Sequence, residues 1–298
     1  MRISQNVGRF ADRVDGQPIA RFRPIKTLAD ARYERLLRRY ADRLPELSPD
    51  DRELVDMLDV DPLRVTSLDE LALPGTDVLW EGLDRLVNLL RARPVLTGTV
   101  RPSTDELLED PRVWQFGLGR RMLDVAENYL GMPARYLGAD VRREVADAAA
   151  NVRRWHRDVE ERRTLSILVL LNDVDEDVGP FVYISAARSA EAVDRLGRVA
   201  RFPDDDAMRS LIPETEWRTW TGPRGTAVVA DRCRLPHRAV APRAGDRFSV
   251  TYSWGTRHPA RTMPQRPMTD AQVRRAATGL GPRQIACLPP VLLRQLNL

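Results

Sequence analysis

Residues 151–188 read NVRRWHRDVEERRTLSILVLLNDVDEDVGPFVYISAAR, and this stretch decides the fold that the sequence predicts. A charged break from Glu160 to Arg163 is followed by an apolar run from Leu165 to Leu171. An acidic turn then ends in Gly179-Pro180, and a second apolar run covers Phe181 to Ile184. Short apolar runs bounded by turn residues are typical of buried strands. The stretch therefore predicts a strand, a turn and a strand.

A histidine and an aspartate precede the first of these strands. His156 and Asp158 lie two residues apart, so in an extended segment their side chains point to the same face and can meet one metal ion. The spacing alone is weak evidence, because the chain has 43 acidic residues among 298. The strand, turn and strand that follow strengthen the interpretation that the pair belongs to a site.

Composition narrows the class of protein. The chain has 298 residues, of which 43% are hydrophobic, so it can bury a substantial core. Its 47 basic and 43 acidic residues are interspersed and give a net charge of +4. A nucleic-acid-binding surface needs a segregated basic stripe, so we expect a small-molecule partner and no nucleic acid.

The cysteines and the first residues bear on the compartment. Cys233 and Cys287 are too few and too far apart in sequence for a disulfide framework or a zinc site. The opening residues, MRISQNVGRFADRVDG, lack the apolar core of a signal peptide, and no run approaches the roughly 18 apolar residues of a membrane helix. These features predict a cytoplasmic protein without a membrane partner, and they leave its oligomeric state open.

The first part of the chain shows helical periodicity. Apolar side chains recur every three or four residues in three segments, which predicts helices that pack on a core. Ser48 before Pro49, and Thr269 three residues before Gln272, predict N-terminal caps. The three stripes are Tyr33, Leu36, Leu37, Tyr40 and Leu44, then Leu79, Leu83, Leu86, Val87 and Leu90, then Leu118, Met122, Val125, Ala126 and Tyr129.

From about Tyr136 onward, short strand-like runs separated by turn residues replace the helical period. One run is Gly225 to Ala230, and another is Arg247 to Trp254, in which apolar and polar residues alternate. Such alternation places Phe248, Val250, Tyr252 and Trp254 on one face of a strand and Arg247, Ser249, Thr251 and Ser253 on the other. Helices, then strands, then a helical tail predict a β-sandwich or jelly roll buttressed by helices.

We expect one domain over the 298 residues, in three parts. Residues 1–135 form a mainly helical buttress, residues 136–256 the jelly-roll core, and residues 257–298 a C-terminal helical tail. The sequence contains neither a glycine-rich phosphate loop nor the regular alternation of strands and helices that a Rossmann fold needs. The predicted fold class is α+β with a mainly β core.

The chain has three histidines, His156, His237 and His258. Two imidazoles and one carboxylate, with three coordination positions left open, form the facial arrangement that holds Fe(II) for oxygen chemistry. His156 and Asp158 supply two ligands, and His237, on a later segment beside a strand, is the best third. His258 lies in the polar segment GTRHPAR, and we interpret it as a solvated loop histidine.

An open ferrous site needs an electron-donating co-substrate to activate dioxygen. If this is a dicarboxylic keto acid, its free carboxylate needs a fixed cation, and the planar fork of arginine binds a carboxylate through two hydrogen bonds. Arg247 opens the polar face of the alternating strand, with the Ser249 hydroxyl on the same side. Arg243 is the alternative, but no strand fixes the direction of its side chain, so we prefer Arg247.

These motifs together resemble a known family. W-H-x-D at residues 155–158, LVLLNDVDEDVGPFVYIS, GTAVVAD, a distal histidine and an arginine that opens a late strand resemble the phytanoyl-CoA dioxygenase family of Fe(II)- and 2-oxoglutarate-dependent oxygenases. The resemblance covers roughly Arg120 to Trp254 and depends on the order and separation of the motifs. It implies a double-stranded β-helix, a cupin-like jelly roll, with flanking helices on the N-terminal side and a C-terminal helix.

The resemblance also implies roles for individual residues. His156, Asp158 and His237 correspond to the iron ligands, Arg247 to the anchor of 2-oxoglutarate, and Ser249 to the second member of an R-x-S pair. Halogenases built on this scaffold replace the carboxylate ligand with a small residue. The presence of Asp158 therefore implies hydroxylation or a related oxidation with O2.

Two positions depart from the family pattern. Where the family commonly has P-G-S-H, beside the substrate mouth, this chain has Ser185-Ala186-Ala187-Arg188. Some relatives carry a hydroxyl two residues after the distal histidine, where this chain has Ala239. The first departure leaves the substrate open. The second removes one co-substrate contact or moves it elsewhere.

The expected function is hydroxylation of a small metabolite in a bacterial biosynthetic pathway, with release of succinate and CO2. The alternatives are demethylation, desaturation or ring formation by the same class of enzyme, and a non-catalytic cupin-like binding protein. Arg154 and Trp155 adjoin the metal pair and are candidates for substrate contact, and Trp217 and Trp220 precede a core strand. Packing or surface charge is the alternative interpretation of these four residues.

Overall fold

The computed structural model divides the chain into two compact units, Met1–Leu44 and Pro45–Leu298. It describes residues 23–146, 154–158, 161–185, 187–189, 191–192, 203–259 and 267–298. In the first unit, helix α1 covers Arg23–Tyr40, and a 3₁₀ turn follows at Ala41–Arg43. The first predicted helix is therefore confirmed, and the single domain of three parts stays a prediction.

Helices also form the first part of the second unit, as predicted. The stripe from Leu79 to Leu90 is buried, and the cap at Ser48 is confirmed because its Oγ accepts a hydrogen bond from the Asp51 N–H at 3.2 Å. Gly131 ends the last of these helices with a φ of 67°, a left-handed conformation that glycine adopts without steric cost. The helices are α2 (Pro49–Val60), α3 (Leu68–Leu71), α4 (Thr76–Arg91), α5 (Thr104–Leu107), α6 (Pro111–Gln115) and α7 (Arg120–Leu130).

The larger sheet has six antiparallel strands. The apolar run that begins at Leu165 forms one of its inner strands. Two edge strands come from the segment predicted to be mainly helical. The strands are β1 (Leu63–Ser67), β2 (Thr99–Val100), β3 (Ala134–Glu144), β4 (Leu165–Leu170), β7 (Thr226–Ala230) and β9 (Arg247–Thr256). Their order across the sheet is β1-β7-β4-β9-β3-β2.

The smaller sheet has the order β6-β5-β8, again antiparallel. The second apolar run forms β5 (Phe181–Ile184), between β6 (Trp217–Trp220) and β8 (His237–Ala239), and helix α8 (Asp205–Leu211) precedes β6. Two antiparallel sheets with flanking helices form the cupin-like jelly roll that the sequence predicts. The predicted fold class is confirmed.

The alternation predicted along β9 is also confirmed. Its apolar residues lie in the main core with the buried stripes of α4 and α7, so the helices pack on the outer face of the larger sheet. These residues are Phe248, Val250, Tyr252 and Trp254. Arg247, Ser249 and Thr251 alternate with them and border a cavity on the other face.

A second apolar cluster joins the two sheets. Leu170 and Val228 of the larger sheet share this cluster with Phe181 and Trp220 of the smaller sheet. The sheets therefore pack face to face, and the cavity lies between them.

The C-terminal part of the chain is helical, with α9 (Asp270–Ala277), α10 (Pro282–Ala286) and α11 (Pro290–Gln295). The predicted capping box of Thr269 and Gln272 is confirmed at the start of α9. The last two helices each begin at a proline, which suits a first turn because it lacks an N–H that would need a partner. Within the described residues, none of the helices is both long and apolar enough to cross a membrane.

Candidate metal centre and co-substrate pocket

A main-chain bridge brings the predicted metal ligands together. The N–H of His156 donates to the carbonyl of His237 at 2.9 Å, and the N–H of His237 donates to the carbonyl of His156 at 2.8 Å. The N–H of Asp158 donates to the carbonyl of Arg232 at 3.2 Å. Residues 154–158 are thereby held along the segment that leads into β8, and His156 and Asp158 present their side chains on one side.

The side chains of the three predicted ligands form one cluster. Nε2 of His156 lies 3.8 Å from Oδ1 of Asp158, and Nε2 of His237 lies 3.9 Å from the same oxygen. One donor atom from each residue lies within 4.8 Å of the other two. His258 is exposed and lies outside this cluster. Two imidazoles and one carboxylate form the donor set of a facial iron site.

Main-chain carbonyls orient both imidazoles. Nδ1 of His156 lies 3.1 Å from the carbonyl oxygen of Arg154, and Nδ1 of His237 lies 3.0 Å from that of Leu235. A carbonyl oxygen can only accept, so these contacts place the hydrogen on each Nδ1 and leave a lone pair on each Nε2. The local backbone therefore selects the tautomer that binds a metal.

The electrostatic environment favours the metal-binding forms. Burial lowers the pKa of His237 to about 4, although the neighbouring carboxylate opposes this shift. Burial acts to raise the pKa of Asp158, but Arg232 and then the two histidines outweigh it and hold this pKa below its usual value. Near neutral pH, His237 is neutral and Asp158 is ionised, which are the states that donate to a cation.

The cluster opens into the cavity between the sheets. The empty volume is about 710 Å³, with the solvent-open mouth included, and both imidazoles line it. Arg247 and Ser249 line the same cavity. Arg247 is only 7% exposed and lies opposite Glu144 in the register of β3 and β9. The structure thus brings the predicted co-substrate residues to the cavity of the predicted metal ligands.

The competing arginine lies elsewhere. Arg243 is exposed and donates a hydrogen bond to Asp177 at 2.7 Å, outside the set of described residues that line the cavity. This placement supports the preference for Arg247. The anchoring role of Arg247 stays a prediction.

The two candidates for substrate contact are placed differently from the ligands. Trp155 is fully buried, its Nε1 donates to Asp205 at 2.8 Å, and its ring packs edge-on against Trp217 at 4.9 Å between centroids. Arg154 is exposed, and neither residue is among the described residues that line the cavity. Trp155 therefore fits the packing alternative, whereas Trp220 lies in the cavity wall.

The two departures from the family pattern also have distinct positions. Ala239 lines the cavity, so the position of the missing hydroxyl is part of the wall. In the stretch Ser185–Arg188, Ala186 lies outside the described residues. The carbonyl of Ser185 accepts a hydrogen bond from the N–H of Ser189 at 2.9 Å, and Arg188 pairs with Glu191 at 2.8 Å.

Two arginines of the cavity wall were not predicted from the sequence, Arg142 and Arg232. Nη2 of Arg232 lies 3.3 Å from Oδ2 of Asp158. Arg142 could have been found, because Asp140, Arg142 and Glu144 place a charge at every second position of β3 and so share one face. Arg232 lies in the turn after β7, where spacing does not reveal which way a side chain points.

Comparisons with known proteins find similarity in structure but not in sequence. No protein-family model matches the sequence, and no curated protein matches it. The structure is similar to EctD from S. alaskensis with 2-oxoglutarate and 5-hydroxyectoine, with a TM-score of 0.50 and 19% identity over 74% of this chain and 84% of that chain. It is also similar to HygX from Streptomyces hygroscopicus with nickel and 2-oxoglutarate, with a TM-score of 0.49 and 16% identity over 72% of this chain and 88% of that chain. At 19% identity the similarity to EctD shows a shared fold. Membership of the phytanoyl-CoA dioxygenase family stays a prediction.

Proposed function

We propose that this protein is an Fe(II)- and 2-oxoglutarate-dependent oxygenase that hydroxylates a small metabolite in a bacterial biosynthetic pathway. The observation that carries this proposal is the placement of His156, Asp158 and His237, with donor atoms within 4.8 Å of one another, at a cavity that Arg247 and Ser249 also line. The fold shared with the EctD structure, which contains 2-oxoglutarate, supports it.

Iron is preferred to zinc in a hydrolase because the sequence contains no His-Glu-x-x-His motif, which would supply a general base beside the metal. Two imidazoles with one carboxylate suit a ferrous ion, and the cavity beside them leaves room for ligands other than protein. His156, Asp158 and His237 would hold the ion. When bound, the iron would activate dioxygen, and the decarboxylation of 2-oxoglutarate would supply the electrons.

The chain's own residues bind, orient and exclude water. The carbonyls of Arg154 and Leu235 keep each Nδ1 protonated, so each Nε2 keeps the lone pair that would bind the ion. Arg247 binds the free carboxylate of 2-oxoglutarate, and the Ser249 hydroxyl donates to the same group. In the overall reaction, one oxygen atom of O2 enters succinate and the other enters the product alcohol, while CO2 leaves.

Succinate formation from 2-oxoglutarate tests the proposal. Wild-type protein with Fe(II) is compared with His156→Ala and with Arg243→Gln, a control that breaks an exposed ion pair outside the cavity. Turnover is expected in the wild type and in the control, and a fall to background is expected in His156→Ala because one of three ligands is lost. Equal turnover in all three proteins contradicts the proposal.

Two alternatives share this fold. Demethylation, desaturation or ring formation uses the same ligands and co-substrate, and the products formed with a substrate separate these outcomes from hydroxylation. A cupin-like binding protein has no turnover. The two cases are separated by adding Fe(II) and 2-oxoglutarate without air and then admitting air and candidate substrates. A visible charge-transfer band in the first step with no succinate in the second favours the binding protein.

A further inference from the structure

The two oxygens of the Asp158 carboxylate face different partners. Oδ1 lies 3.8 Å and 3.9 Å from Nε2 of His156 and of His237, whereas Oδ2 lies 3.3 Å from Nη2 of Arg232. The carbonyl of the same arginine accepts the Asp158 N–H at 3.2 Å. Arg232 therefore contacts Asp158 through both its main chain and its side chain.

Asp158 is the carboxylate with which Arg232 pairs within the described residues. The Arg232 Nε is buried and has no hydrogen-bond partner among those residues, so the guanidinium makes no competing contact through this atom. The side chains of Arg232 and Asp158 are 25% and 18% exposed. In such a half-enclosed site, water competes less and an arginine–carboxylate contact is firmer than on an open surface.

The different partners of the two oxygens matter because a carboxylate can bind a cation with one oxygen or with both. A facial set of three ligands leaves three positions open, of which a chelating keto acid takes two. If both oxygens of Asp158 bound the ion, one of those three positions would be lost. The state of Oδ2 therefore decides how much room remains for 2-oxoglutarate and dioxygen.

Building on the proposed function, we propose that Arg232 is a positioning residue that holds Oδ2 of Asp158 and leaves Oδ1 alone to bind the ion. The role differs from that of Arg247, which lies on β9 and anchors the far end of the co-substrate. Arg232 acts through the metal ligand, and it keeps the third position of the ion available.

This role predicts opposite changes in two affinities. Replacing Arg232 with a neutral residue removes a positive charge close to the ion and frees Oδ2 to become a further ligand, so metal affinity is retained or increased. Arg247 fixes the far end of 2-oxoglutarate, so its chelating end can use only two particular positions of the three. We expect Oδ2 to take one of these two, so 2-oxoglutarate must displace it, and its affinity falls by about 10-fold or more, the scale of effect seen when a partner of a metal ligand is lost. A residue that merely supported the fold would weaken both affinities.

The experiment uses the full-length protein under anaerobic conditions. Arg232→Gln is compared with the wild type and with Arg243→Gln, whose arginine pairs with Asp177 at 2.7 Å outside the cavity. The dissociation constant of 2-oxoglutarate is read from the charge-transfer band of the Fe(II)-loaded protein, and Co(II) affinity from competition with a chelator. Weaker 2-oxoglutarate binding without weaker Co(II) binding is expected only for Arg232→Gln. Arg232→Lys keeps a charge and a donor and restores most of the 2-oxoglutarate affinity.

Unchanged 2-oxoglutarate affinity in Arg232→Gln, or a parallel loss of Co(II) affinity, overturns the positioning role. If that variant does not fold, a structure of the wild type tests the positioning role instead. A crystal structure with Co(II) is expected to show Asp158 bound through Oδ1 alone with Oδ2 on Arg232, and coordination through both oxygens contradicts the inference. Failure of the proposed function is distinguishable, because the wild type then forms no succinate, whether or not the charge-transfer band is present.

Discussion

His156 and His237 hold each other through their main chains, with N–H to carbonyl distances of 2.9 Å and 2.8 Å in the two directions. The bridge does not use either imidazole, so it fixes the separation of the two side chains independently of what they bind. The adjoining Trp155 lies in a buried cluster with Ile184 and Met208. The geometry of the candidate metal centre therefore depends on the fold.

Metal removal tests this independence. We expect a chelator to abolish 2-oxoglutarate turnover but to leave the far-ultraviolet circular dichroism unchanged, unlike a zinc finger, which unfolds without its ion. Re-addition of Fe(II) restores turnover. Co(II) at 100 times its dissociation constant raises the unfolding free energy by about 2.7 kcal/mol. Unfolding on chelation would show that the ion, rather than the bridge, holds the segment.

Arg247 is expected to dominate the affinity for 2-oxoglutarate. A charge-assisted hydrogen bond contributes about 1.5–3 kcal/mol, so Arg247→Met weakens binding of the co-substrate by about 10- to 100-fold. Arg247→Lys recovers part of this loss, because an ammonium lacks the planar fork. Arg243→Met is the control, and its affinity for 2-oxoglutarate is expected to equal that of the wild type. The dissociation constants come from anaerobic titration of the charge-transfer band, and the reverse ranking would identify Arg243 as the anchor.

Trp155→Phe separates packing from substrate contact. The substitution removes the hydrogen bond to Asp205 and leaves a cavity in a fully buried position, so we expect it to lower the unfolding free energy by about 1–3 kcal/mol. The affinity for 2-oxoglutarate is expected to stay the same. Urea denaturation and the charge-transfer titration check the two parts. Full stability together with altered substrate kinetics would support the substrate-contact interpretation instead.

Alkaline pH is expected to destabilise the protein through Tyr129. Burial, and next the charge of Asp231, raise the pKa of Tyr129 to about 12. The unfolded chain loses this proton near pH 10 and the folded chain keeps it. The folded state thus binds more protons between about pH 10 and pH 12, so stability falls as the pH rises through this window.

A comparison with Tyr129→Phe isolates this contribution. The variant loses the hydrogen bond to Asp231 of 2.9 Å, so it is less stable than the wild type by about 1–2 kcal/mol at pH 8. From pH 10 to pH 12 the wild type loses about 2 kcal/mol of unfolding free energy relative to the variant, because tyrosine titrates in this range and phenylalanine does not. Urea denaturation at several pH values measures the difference. Parallel curves for the two proteins contradict the assignment.

Gly179, at the end of the acidic turn, is expected to tolerate no side chain. Its φ is +79°, and an added Cβ would lie 2.7 Å from the main-chain nitrogen of Pro242. Gly98 is the matched control, since its φ is +85° but nothing lies within 4 Å of an added Cβ. We expect Gly98→Ala to cost about 1–2 kcal/mol for the left-handed backbone, and Gly179→Ala distinctly more. Equal losses in chemical denaturation would show that the contact relaxes freely.

Local patterns predicted much of the fold. Alternation along Arg247–Trp254 predicted both a strand and its two faces, because successive side chains of a strand point in opposite directions. The same period, applied to residues 154–158, places Trp155 opposite to His156 and Asp158. The same pattern that predicted the metal pair therefore also indicates that Trp155 points away from the metal ligands.

Long-range pairing explains what could not be predicted. Leu63–Ser67 has only five residues within a mainly helical region, and it becomes a strand by pairing with β7. The contact between Arg232 and Asp158 depends on how a turn meets a distant segment, which no spacing encodes. By contrast, the meeting of His156 with His237 could be anticipated, because the chain offers only three histidines.

One face of β9 lines the cavity and the other packs against the helices, and this limits which mutations the strand can accept. A substitution at Thr251 alters the cavity while the helices keep their apolar support at Val250 and Tyr252. Insertion of one residue in the strand exchanges the faces beyond that point and damages the cavity and the support together. We infer that the shape of the cavity can change by a point substitution on this face, whereas a change in the length of the strand disturbs the cavity and the core at once.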